Sequence, residues 1–211
     1  MGGTVYWNGD TKTIDVVSAV PKAETVSTED KIKEIAKKAE SVLMVNVDKG
    51  SGSAFIVGDG RTALTNFHVV EGKNLAICNA DNQLDSGYLY EVIKTDETND
   101  LAVIRSKYDM YVSYNPLTLG DSDKVETGDT VIAIGSPLGF KNTVSDGIVS
   151  GFRVINGIEY IQITAPISPG SSGGALFNMD GEVIGITTAT VIEGQNLNLA
   201  IPINKAKELL K

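Results

Sequence analysis

From residue 41 onward the chain is a succession of short β-forming segments broken by glycine-containing turns, and this rhythm limits what it can fold into. In the first half the segments are Ser41–Val47, Gly52–Val57, Thr62–Asn66, Leu75–Asn79, Tyr88–Thr95 and Leu101–Arg105. After Pro116 the style repeats with Thr130–Ile134, Thr143–Phe152, Ile158–Thr164, Ala175–Phe177, Glu182–Thr190 and Leu197–Ile201. Regular short strands separated by turns predict an all-β sandwich or barrels. A short helix precedes them. Ser27 or Thr28 can cap it, Glu29 and Asp30 suit its positive end, and Ile32, Ile35, Ala36 and Ala39 form one apolar stripe. Asn204 is expected to cap a helical stub, Lys205–Lys211, at the other end. Residues 1–27 form an arm: Thr4–Trp7 and Thr13–Val17 are β-forming around a turn at Asn8-Gly9-Asp10, and the polar stretch after Pro21 reads as a linker.

At 211 residues the chain can bury a real core, as one domain or as two small, tightly joined ones. A net charge of −9 argues against a nucleic-acid partner, because duplex binding needs a basic surface. No apolar run is long enough to span a membrane. The single cysteine, Cys78, excludes an internal disulfide and a cysteine-rich metal site, and its strand setting predicts a buried, inert thiol. Met1-Gly2-Gly3 lacks the pattern of a signal peptide, and Tyr6 stands where myristoylation wants Ser or Thr. Gly58-Asp59-Gly60-Arg61-Thr62-Ala63 imitates a dinucleotide fingerprint, yet it lies between two strands and reads as a hairpin turn.

The chemistry concentrates in Ser168-Pro169-Gly170-Ser171-Ser172-Gly173-Gly174-Ala175-Leu176. Centred on Ser172, it reads as a nucleophile on a tight turn, with glycines that permit positive φ and close substrate approach. The amides of Gly170 and Ser172 can converge on one point and form an oxyanion hole. Such a serine needs a base and an orienting acid. His68, the sole histidine, supplies an imidazole, the side chain best suited to take a serine proton near neutral pH. Asp100, in Asn99-Asp100-Leu101-Ala102-Val103, supplies a carboxylate to hold the histidine tautomer.

The order His68, Asp100, Ser172 is that of the chymotrypsin-like serine proteases, not of subtilisins or α/β-hydrolases. Within them the chain most resembles the HtrA (Deg) family. The resemblance is carried by Gly50–Ile56, Leu64–Val70, Asn99–Val103, Ala133–Gly139, Pro169–Leu176, Gly181–Ile186 and Leu199–Pro202, and runs from about residue 30 to the end. It implies a chymotrypsin-like double β-barrel with short N- and C-terminal helices, divided as an arm (1–27), a first barrel with its helix (28–117) and a second barrel (118–211). The active site would lie in the cleft, with His68 and Asp100 from the first barrel and Ser172 from the second. The implied activity is endopeptidase cleavage of extended or unfolded polypeptides, without cofactor or metal, in extracytoplasmic quality control. An inactive peptide-binding module and a serine esterase are the competing functions. Ile167, Thr188 and Leu199 are expected to line the substrate pocket, and the lead-in Ile163–Ser168 carries no acid to pair a buried Lys or Arg. The family also implies a trimer held by N-terminal aromatics, a part that Tyr6 and Trp7 would play. The chain departs from the family at Ser171, where asparagine is usual. It also departs in its short loop, about Asp48–Ser51, and in having no room for a following PDZ domain.

Overall fold

The computed structural model describes residues 4–7, 10–13, 27–47, 50–79, 87–108, 114–136, 143–192 and 195–211. Strands β1 (Thr4–Trp7) and β2 (Asp10–Thr13) pair as an antiparallel hairpin with Trp7 opposite Asp10. The second strand therefore begins earlier than Thr13. Asn8-Gly9 is a pair that two-residue hairpin loops favour, so Asp10 already belongs to the strand. The side chains of the arm, including Tyr6 and Trp7, lie outside the described residues.

Helix α1 (Thr28–Ala36) starts where Ser27 Oγ accepts a hydrogen bond from the Asp30 amide at 3.1 Å. It tightens into a 3-10 turn, Lys37–Ser41, which feeds the first barrel. That barrel closes in the order β3 (Val42–Val47), β4 (Gly50–Val57), β5 (Thr62–Thr65), β8 (Leu101–Ser106), β7 (Tyr88–Asp96), β6 (Leu75–Asn79). The second closes as β10 (Thr143–Ile155), β11 (Ile158–Ile163), β14 (Gln195–Pro202), β13 (Val183–Ile192), β12 (Ala175–Phe177), β9 (Thr130–Gly135). Closure leaves no free edge and decides for barrels over a sandwich.

Alternation explains how the barrels meet. Successive residues of a strand face opposite sides. On β4, Ala54 and Ile56 join Leu43, Cys78 and Tyr90 in one cluster, while Phe55 and Val57 join another. That other cluster also takes Ile132 and Ile134 of β9, Phe177 of β12 and Ile201 of β14. The central strands are therefore buried on both faces, and the shared layer fuses the two halves. Burying each such Ile or Phe is worth about 1.5–3 kcal/mol. Ile35 of α1 and Ile203 and Ala206 of α3 (Ile203–Leu209) seal the same layer. α3 starts two residues before the expected stub and has no side-chain cap; Asn204 instead donates from Nδ2 to Asp121 Oδ1 at 2.8 Å. Burial pushes the Cys78 thiol up, as expected of an inert core cysteine. No helix among the described residues is long and apolar enough to cross a membrane.

The turn between β4 and β5 is held by Asp59. Its Oδ1 accepts from the amides of Arg61 and Thr62 at 3.1 and 3.2 Å, and its Oδ2 from Arg105 at 2.6 Å. The Arg105 hydrogen bond, helped by the Arg61 amide, lowers the carboxyl from 3.8 to about 2. A depressed acid stabilises the fold above its unfolded pKa, and this contribution disappears as pH falls through the folded value. The pair is half-exposed, so its worth is under about 1 kcal/mol. Asp59→Asn should lower the urea midpoint slightly at pH 7, and the gap from wild type should close between about pH 4 and pH 2. Parallel urea titrations check this; a gap that persists at pH 2 contradicts it.

Candidate active site

His68 follows β5 on a single helical turn, α2 (Phe67–Val70). Val69 and Val70 anchor that turn in the first barrel's core. The β7–β8 turn brings Asp100 to it. Asp96 shapes this turn, its carboxylate accepting from the Asn99 amide at 3.0 Å and from Asn99 Nδ2 at 2.6 Å. Asp100 itself stands at φ 53, a left-handed conformation that a short polar residue tolerates better than most. Its carbonyl accepts from the Phe67 amide at 3.1 Å and from Asn66 Nδ2 at 3.0 Å. Its Oδ1 accepts from the His68 amide at 2.9 Å, and Oδ2 lies 2.8 Å from His68 Nδ1. A carboxylate only accepts, so Nδ1 carries the hydrogen and Nε2 is left with its lone pair. Among the described residues Nε2 makes no hydrogen bond, and 45% of the His68 side chain is exposed.

The second barrel supplies the loop before β12. Gly52 sits between the two parts: a Cβ there would meet Val69 at 2.6 Å and the Ser172 carbonyl at 3.1 Å. Ser172 therefore reaches the edge that carries His68. Three consecutive carbonyls of the loop are held. Ser53 Oγ donates to Gly170 O at 2.8 Å, Thr187 Oγ1 to Ser171 O at 2.7 Å, and the Ser53 amide to Ser172 O at 2.7 Å. Other amides of the loop point elsewhere: Ser171 N–H donates to Ser168 O, Gly173 N–H to Thr187 O and Gly174 N–H to Ser171 O. The amides of Gly170 and Ser172 have no hydrogen-bond partner among the described residues. Gly170 and Gly173 stand at φ 96 and 88, which a side chain rarely allows. The arrangement thus offers an acceptor nitrogen, an intermediate-exposure serine and two unpaired donors, the parts of acyl transfer.

Thr188 of β13 and Leu199 of β14 pair directly, both buried. Ile167 packs instead against the second barrel's core and lines, with Ser168, Ser171 and Thr187, a cavity of about 20 Å³, room for one water. Tyr160 of β11 ties the second barrel to this region electrically: burial first, and then the Asp100 carboxylate, push its phenol up. No three His, Cys, Asp or Glu side chains among the described residues cluster as metal ligands. Reasoning from sequence missed Asn66, Thr187 and the roles of Ser53. The Gly-Ser-Gly-Ser stretch at 50–53 was visible, but its partners lie far along the chain.

Known proteases resemble this chain in sequence and fold. The model of the trypsin-like peptidase domain matches residues 52–186. The serine protease HhoA of Synechocystis is 40% identical over 76% of this chain and 42% of its own length. A DegP-like periplasmic serine endoprotease of Halomonas elongata is 38% identical over 75% of this chain and 34% of its own. The solved HtrA-type protease AlgW with tripeptide superposes at a TM-score of 0.75 and 32% identity, covering 85% of this chain and 62% of that one. The chain belongs to the trypsin-like peptidases and, within them, to the HtrA family. It spans about two fifths of the length of HhoA.

Gly173 tests how closely the barrels must approach. A Cβ there would run into the Ser53 carbonyl and Thr65 Oγ1, and the residue's φ of 88 strains any side chain. Gly173→Ala should cost at least about 2 kcal/mol in unfolding free energy. Chemical denaturation checks this, and an unchanged midpoint contradicts the packing described.

Proposed function

We propose that this chain is a serine endopeptidase acting on extended or unfolded polypeptides. The supporting observation is the His68–Asp100 pair together with a loop whose Gly170, Ser171 and Ser172 carbonyls are tied back and whose Gly170 and Ser172 amides have no partner among the described residues. Ser172 Oγ attacks the peptide carbonyl carbon as its proton passes to His68 Nε2. The carbonyl oxygen becomes an oxyanion that the Gly170 and Ser172 amides stabilise. His68 then returns the proton to the leaving amine as the C–N bond breaks, leaving an acyl-enzyme. Water, deprotonated by His68, releases the acid and regenerates Ser172. Asp100 holds the ring's orientation and stabilises the imidazolium. No metal or cofactor enters these steps.

The lead-in Ile163–Ser168 carries no acid, and the paired Thr188 and Leu199 offer only a hydroxyl and an isobutyl group. Cleavage after small or medium apolar residues follows from that lining, because a buried Lys or Arg would stay unpaired. The periplasmic name of the Halomonas relative supports an extracytoplasmic setting, and quality control as the task belongs to the same proposal. Assembly as a trimer through Tyr6 and Trp7 belongs to the same reading.

Casein digestion followed by mass spectrometry of the fragments tests it. Wild type should cut chiefly after small apolar residues. Ser172→Ala should lower turnover by at least about 1,000-fold, and Ser171→Ala by less than about tenfold. Binding of casein without cleavage would favour the inactive binding module, ester turnover alone would favour the esterase, and dominant cuts after Lys or Arg would overturn the specificity.

A further inference from the structure

The geometry points to Ser53 as a positioning residue that clips the Gly170 peptide in place and so keeps the oxyanion site assembled from the opposite barrel. Ser53 is fully buried on β4 of the first barrel. Among the described residues its hydroxyl has two partners, both from the second barrel. The Ser136 amide, at the end of β9, donates to Oγ at 2.8 Å. Gly170 O lies 2.8 Å from the same Oγ. An amide nitrogen can only donate and a carbonyl oxygen can only accept. The one hydroxyl hydrogen is therefore committed to Gly170 O, and the direction of the bond is settled by its neighbours.

The consequence follows from peptide planarity. The Gly170–Ser171 peptide is held at both ends: its carbonyl by Ser53 Oγ and its N–H by Ser168 O at 2.9 Å. That fixes the α-carbon of Gly170 from one side, and a glycine at φ 96 has little else to restrain it. The amide of Gly170 is one of the two free donors, so its place relative to the Ser172 amide depends on this clip. Ser53 restrains the other donor's residue as well, since its own N–H holds Ser172 O at 2.7 Å. The carbonyl of Ser53 is in turn held by Thr65 Oγ1 at 2.7 Å, three residues before His68. One residue thus sets the oxyanion loop of the second barrel against the base-bearing strand of the first. Without the hydroxyl, Gly170 O loses this donor and the Ser136 amide this acceptor, and the loop shifts in response.

The inference rests on the endopeptidase reading, and the experiment separates the two. Wild type, Ser53→Ala and Ser53→Cys are compared in steady-state cleavage of labelled casein and in amide exchange of segment 168–172. Cysteine nearly matches serine in shape but donates weakly. A packing role would leave Ser53→Cys at wild-type turnover. The clip predicts that both variants lose about 10- to 100-fold in kcat per folded molecule, with KM within about twofold. It also predicts that the Ser171 amide exchanges at least about tenfold faster in both. Turnover within threefold of wild type in Ser53→Cys, a change confined to KM, or unaltered exchange at Ser171 would overturn it. If Ser53→Ala does not fold, Ser53→Cys alone carries the same decision. If wild type leaves casein intact, the endopeptidase reading fails, and exchange at Ser171 still decides the clip.

Discussion

Three consecutive carbonyls, those of Gly170, Ser171 and Ser172, are each bound by a donor outside their own loop. Because a peptide group is rigid, holding its carbonyl on one side sends its N–H to the other. Most of what the site can do depends on that restraint. The Ser171 carbonyl, held by Thr187 Oγ1, shares its peptide with the Ser172 amide and turns that N–H the other way, while the Gly170 amide belongs to the preceding peptide and is restrained through the Gly170 α-carbon. The donors come from β4 and β13, so the loop is positioned by both barrels rather than by its own sequence.

The same dependence appears on the acid–base side. Asp100 adopts a φ of 53, a conformation that costs a non-glycine residue free energy. It is held there by the Phe67 amide, Asn66 Nδ2 and the His68 amide, all from the segment it orients. His68 and Asp100 therefore fix each other through backbone as well as side chain. The shared apolar layer of Phe55, Ile134, Phe177 and Ile201 supports both sets of contacts at once. A loss of packing there would separate His68 from Ser172 without touching either.

The strands were legible because short β-forming runs bounded by glycine turns are a local pattern, whereas the two faces of Ala54-Phe55-Ile56-Val57, all apolar, show only in the packing. So were Ser27 as a cap and Asp59 in its turn, since each acts within three residues. The second strand of the arm, the start of α3 and the placing of His68 were less legible. They depend on pairing register, on packing of Ile203 and on a one-turn helix too short to show a period. Candidate residues of the triad could be picked out by type and order. What surrounds them could not, because Ser53 meets Gly170 across more than a hundred residues and no local pattern encodes that contact.

The central claim is that the geometry activates Ser172 and no other serine. Incubation with an alkyl fluorophosphonate, followed by peptide mapping, tests it most directly. The account predicts one covalent adduct, on Ser172, whose formation is lost when His68 is replaced by alanine. An adduct on Ser171, or labelling of Ser172 that survives without His68, would contradict it.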